Sequence, residues 1–142
     1  MTRIFTRAYV CGADLKPEEV KRKLLGANKG AMVQTSGPDA ADNEFLIELL
    51  AAQTLKAQAL RSLLAKKPEI DFLLRLAGTT QIAKAIRQVG ARQGGRFLAV
   101  VAAESEVKEV KGLPGLRLPR RELTRSELGR VERAALLNAK RP

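Results

Sequence analysis

With 142 residues, 45% of them apolar, the chain can bury one core without disulfide or metal staples, and residues 1–142 are expected to form a single domain. One cysteine, Cys11, and no histidine exclude an internal disulfide, nearly all transition-metal sites and the Ser-His-Asp and Cys-His catalytic arrangements. The excess of 26 Lys and Arg over 15 Asp and Glu, a formal charge of +11, suits a phosphate backbone or an acidic protein surface, against the plainer reading of a solvated, salt-bridge-rich exterior.

The first element is a strand from Arg3 to Cys11, with Ile4, Phe5, Tyr9 and Val10 apolar and Cys11 read as a buried small hydrophobe. After Gly12, Pro17-Glu18-Glu19 begins a helix: proline fits the first turn, and acids there complement the helix dipole. Ala31–Gln34 is a short strand and Ser36-Gly37-Pro38-Asp39 a turn. A long helix is predicted from about Ala41 to Leu64, apolar on more than one stripe and therefore largely buried. The nearly continuous apolar run Ile70–Ala77, broken by Arg75, reads as a strand covered on both faces. Gly78-Thr79-Thr80-Gln81 opens the next helix, with either threonine as its cap, and Ile82, Ala85, Ile86 and Val89 repeat at helical spacing up to Gly90. Phe97–Ala103 is a second buried strand, Glu104–Lys111 a more exposed one, and Gly112–Pro119 a loop. Thr124-Arg125-Ser126-Glu127 is a capping-box pattern that starts a last helix reaching about Asn138, with Leu128, Val131 and Ala135 inward. The predicted order is β-α-β-α-β-α-β-β-α, a mixed α/β domain with a central mixed sheet flanked by helices.

The positive charge is unevenly spread. Residues 1–55 carry seven basic and seven acidic side chains, 56–96 nine and two, 97–116 two and three, and 117–142 eight and three. No phosphate-binding Gly-x-x-x-x-Gly-Lys-Ser/Thr loop or Gly-x-Gly-x-x-Gly fingerprint is present. The glycine-rich basic segment Arg87–Arg96 has a helix before it and a strand after it, the reverse of what a helix-N-terminal pyrophosphate loop needs, so it reads as a helix-to-strand turn. Acidic pairs such as Glu18-Glu19 and Glu69/Asp71 have structural explanations at element starts, and no catalytic residue is assigned. Tyr9, Phe45, Phe72 and Phe97 fall in core-type runs, which leaves no aromatic platform for stacking bases; RNA contact would fall to Arg, Lys, backbone and aliphatic groups. No signal peptide is seen and the longest apolar run, 97–103, is too short to span a bilayer, so a cytoplasmic protein with no membrane partner is expected.

The stretch Pro38–Gly90 carries a resemblance. It runs Pro38-Asp39-Ala40-Ala41, Leu49-Leu50-Ala51-Ala52, Lys56, Arg61-Ser62-Leu63, Ile70-Asp71-Phe72-Leu73-Leu74-Arg75-Leu76-Ala77-Gly78-Thr79-Thr80-Gln81-Ile82, Ala85-Ile86 and Val89-Gly90. In this joint order it resembles the kinase-binding regulatory subunit of KEOPS, the assembly that installs threonylcarbamoyladenosine (t6A) in tRNA, and Ala134–Ala139 is similar to the end of that family's C-terminal helix. Thr80 departs from archaeal relatives, which often have a basic residue there. The resemblance implies a non-catalytic subunit, without cofactor or metal. It would form a heterodimer with the small atypical kinase of the assembly, stimulate its ATPase, meet the other subunits indirectly, and hold the single-stranded 3′ CCA end of tRNA. A generic basic RNA-binding or ribosome-associated protein is the alternative.

On this reading Lys56, Arg61, Arg75, Lys84 and Arg87 supply phosphate contacts, and Gly78, Thr79, Thr80, Gln81 and Ile82 offer backbone N–H groups, an amide and an aliphatic surface to the end nucleotides. Core packing is the competing account of Ile82, and pairing with an acid that of Arg75. Leu128, Val131 and Leu136 are the candidate kinase anchors, and core packing explains them equally well.

Overall fold

The computed structural model describes residues 3–113 and 115–140. Its core follows from the period-two alternation of β3 (Phe97–Ala103), whose seven residues are all buried. Leu98, Val100 and Ala102 face one hydrophobic cluster, while Phe97, Ala99 and Val101 face another. A strand apolar at every position must be covered on both faces. β3 therefore lies inside the sheet, between β2 (Met32–Ser36) and β1 (Phe5–Cys11), with β4 (Gly115–Arg117) on the far side of β1.

Every pairing in this sheet is antiparallel, so the expected mixed sheet is corrected to an antiparallel one within the expected α/β class. The register sets Tyr9 opposite Ala99 and Arg117, and Val33 opposite Val101. On one face lies α1 (Pro17–Ala27), burying Val20 and Leu24 against Cys11 and Phe97. The other face carries α2 (Glu44–Ala59), α3 (Pro68–Ala77) and α5 (Arg125–Leu136), through Leu46, Leu50, Phe72, Leu76 and Ala134. Fully buried side chains the size of Phe72 or Phe97 each stabilise the fold by about 2–3 kcal/mol. Cys11 is one of these core groups, and burial pushes its thiol up to about 11.

Three local expectations are corrected. The predicted strand Ile70–Ala77 is the helix α3. An apolar run of that length suits a buried strand or a buried helix equally, and its flanks decide. Pro68 takes the first turn beside Glu69 and Asp71, Asp71 and Arg75 pair across one turn, and Gly78 closes the end at φ +74°. Second, the long helix stops at Ala59 and not at Leu64. Ser62 N–H reaches Ala57 O and Arg61 N–H reaches Gln58 O, a Schellman closure with Arg61, at φ +56°, in the left-handed position usually held by glycine. Third, Glu104–Lys111 forms no strand: Val107 drops into the second cluster, and the predicted loop that follows supplies β4. The observed order is β-α-β-α-α-α-β-β-α. No helix among the described residues is long and apolar enough to cross a membrane.

Candidate nucleic-acid interface

The link between α3 and α4 (Ile82–Val89) begins at Gly78, whose N–H bonds Leu74 O while its left-handed φ turns the chain out of the helix. A Cβ here would lie 3.1 Å from Arg133 Cδ, so α5 lays an arginine over the turn. Thr79 Oγ1 accepts the Gln81 N–H at 3.2 Å and fixes the approach to α4. Neither threonine caps α4, in contrast to the expectation: Gln81 stands at that position and makes no side-chain cap bond. The first amide groups of the helix are therefore left without a side-chain acceptor.

The apolar stripe of α4 is split along its length. Ala85 and Val89 are buried, while Ile82 is 46% and Ile86 51% exposed. Core packing thus fails to account for Ile82. Thr80, Gln81, Lys84 and Arg87 are exposed on the same short element. Lys84 and Arg87 form no ion pair among the described residues. The result is an aliphatic strip edged by unneutralised cations, a surface able to hold an unstacked base and its phosphate.

Arg75 leaves this set. It is 3% exposed, with Nε donating to Asp71 Oδ1 at 2.7 Å and Nη2 to Oδ2 at 3.2 Å. Its remaining donors reach Ala134 O and Asn138 Oδ1. Asp71 also accepts from Thr54 Oγ1 and from Leu64 N–H. The guanidinium has no face left for a phosphate; it ties α3 to α5. Lys56 and Arg61 are exposed at the end of α2, and no hydrogen bond or ion pair among the described residues joins them to the α4 surface.

Of the proposed kinase anchors, Leu128 and Leu136 are 48% and 60% exposed, and Val131 is partly buried against the core. The inward face of α5 is rotated from the expected one. Glu127, Ala134 and, just beyond the helix, Leu137 are buried, whereas Leu128 and Ala135 face outward. The capping box explains the burial of Glu127: Thr124 Oγ1 accepts Glu127 N–H, and Glu127 Oε1 accepts Thr124 N–H. These bonds, Thr124 N–H first, hold the Glu127 carboxyl below the usual range, although burial works in the opposite direction.

Beyond the C-terminal end of α4, Arg87 shares a cleft of about 650 Å³ with Arg92, Arg96 and Arg130. Arg92 and Arg96 belong to the glycine-rich segment that the sequence reads as a helix-to-strand turn and not as a phosphate loop, and Arg130 carried no signal of its own. Only the tertiary structure brings Arg130, from the last helix, beside the α4–β3 turn. No protein-family model matches this chain, and no curated protein matches it.

Proposed function

We propose that this protein is a non-catalytic RNA-binding and partner-binding subunit of the KEOPS kinase-binding kind, which binds and stimulates a small atypical kinase and holds the single-stranded 3′ CCA end of tRNA in support of t6A formation. The resemblance over Pro38–Gly90 is one support. The observation that carries the reading is the exposed strip Ile82/Ile86, flanked by Gln81, Lys84 and Arg87. Exposed isoleucines on so short a helix cost hydration free energy, and a base laid on them would recover part of it. The adjacent cations would take the phosphates, and the amide groups at the start of α4 can donate to sugar or phosphate oxygens. Leu128 and Leu136, apolar and exposed on α5, are the surface offered to the kinase.

Binding of one tRNA with and without its terminal CCA, at fixed salt, tests the RNA half of this reading. Loss of the CCA should weaken binding strongly. Ile82→Glu and Lys84→Glu should do the same in the intact tRNA, and Lys23→Glu on the exposed side of α1 should not. Equal binding to both tRNA forms would reduce the charge to general electrostatics and reject the 3′-end role. Co-elution with the kinase, lost on combining Leu128→Glu with Leu136→Glu, tests the partner half.

A further inference from the structure

Elsewhere on this molecule, several exposed or half-exposed arginines find acids, while Arg61, Arg125 and Arg133 stand singly with no ion pair among the described residues. Arg7 pairs with Glu109 at 2.7 Å, Arg117 with Glu44 at 2.9 Å, Arg120 with Glu48, and Arg121 with Asp42 at 2.8 Å. Arg87, Arg92, Arg96 and Arg130 differ. They line one cleft whose only acidic lining residue is Asp39, and none of the four forms an ion pair among the described residues.

Arg130 is the most informative of them. Its Nη2 donates to Ala40 O at 2.8 Å and to Leu76 O at 2.9 Å, which fixes the guanidinium between the β2–α2 connection and the end of α3. Both partners are neutral carbonyls. The side chain is half-buried, and that burial lowers its pKa, helped by Arg133 and opposed by the more distant carboxylates of Glu127 and Asp42. Its Nε and Nη1 groups make no hydrogen bond among the described residues.

Gly37 and Gly90 line the cleft floor, where the backbone packs closely. Gly37 N–H donates to Val89 O at 2.8 Å, bringing the two backbone segments together. At Gly90 a Cβ would fall 2.4 Å from Ile86 O. The space, about 650 Å³, is of the size that holds small ligands. Guanidinium forks match phosphate oxygens in pairs, and several forks around one space favour a polyanion over a single carboxylate.

We propose that this cleft is a phosphate-binding subsite that takes two adjacent phosphate groups, with Arg130 as the fixed anchor and Arg87, Arg92 and Arg96 closing over the anion. The phosphates can come from a free nucleoside polyphosphate or from successive positions of an RNA backbone. The subsite shares Arg87 with the 3′-end strip and is otherwise separate from it. Arg92, Arg96 and Arg130 lie outside Pro38–Gly90, and the floor of the cleft is built from the opposite end of α4.

The test titrates the full chain with inorganic pyrophosphate at constant ionic strength. Saturable binding is expected, weakened roughly tenfold or more in the double variant Arg92→Gln/Arg96→Gln, because each lost bond is charge-assisted. Both residues are exposed, so that variant keeps the fold. Arg130→Lys keeps the charge but loses the fork, and should also weaken binding. Arg22→Gln/Arg125→Gln, exposed and outside the cleft, should bind as the parent does. A dissociation constant weaker than about 1 mM for the parent chain, or unchanged affinity in the Arg92/Arg96 double variant, overturns the proposal. Competition then names the source, and either result supports the subsite: tRNA that displaces pyrophosphate puts backbone phosphates in the cleft, whereas simultaneous binding assigns it to a free polyphosphate. Pyrophosphate binding without CCA-dependent tRNA binding keeps this proposal and rejects the 3′-end role. The converse result does the reverse.

Discussion

Replacing Arg75 with methionine removes the cation from a buried cluster while filling much of its volume. The pair it breaks has side-chain exposures of 2% and 0%. Asp71 would keep Thr54 and Leu64 N–H as donors but lose both bonds from Arg75, and Ala134 O and Asn138 would each lose a partner. Breaking a buried pair from one side leaves an uncompensated charge and costs about 3–5 kcal/mol. For a chain of this length that lowers Tm by about 10 °C or more. Urea unfolding of the parent, Arg75→Met, Asp71→Asn and the double variant measures it. The two single costs should exceed the double by about 1–3 kcal/mol, since each removes the same interaction. A loss below about 1 kcal/mol for Arg75→Met would refute the reasoning. So would a fully stable variant that no longer binds tRNA, which would return Arg75 to the phosphate-contacting set.

Two further outcomes follow from local geometry. Glu127→Gln should cost about 1 kcal/mol at neutral pH, because the capping carboxylate accepts from Thr124 N–H and Asn43 Nδ2. Its folded pKa is depressed, so the stabilisation is present above the unfolded carboxylate value of 4.5 and is lost as pH falls through the folded pKa. The gap between parent and variant in a urea titration should therefore close in acid, and a gap that persists there contradicts the assignment. Gly90→Ala should cost about 1–3 kcal/mol, since the new Cβ must push Ile86 O from 2.4 Å. A neutral result in thermal unfolding would show that this turn relaxes freely.

Much of the fold was legible because the local signals agreed with the tertiary outcome. The unbroken apolar run Phe97–Ala103 required cover on both faces, and Thr124 with Glu127 marked the start of α5. Where a local signal fitted two structures, the sequence reading chose wrongly. Ile70–Ala77 is apolar enough for a strand, yet Pro68 before it, Gly78 after it and the Asp71–Arg75 spacing belong to a helix. On α5 the predicted inward face was rotated, because the carboxylate that caps the helix is itself buried and turns Leu128 outward.

The candidate surfaces divide along the same line. Residue identity alone determined that the basic charge collects in residues 56–96 and 117–142, that histidine chemistry is absent, and that Gly78–Val89 is a turn followed by an amphipathic helix. The first two are composition, and the third is set by bonds between near neighbours along the chain. Which cations remain free is a different question. Arg75 and Arg87 look alike in the sequence, but one lies against Asp71 in the core and the other opens onto a cleft. Arg130 reaches that cleft from forty positions beyond Gly90, because α5 packs across α3 and lays its side chain against Ala40 and Leu76. Such pairings depend on where separate elements meet, and the packing of the helices on the sheet decides that.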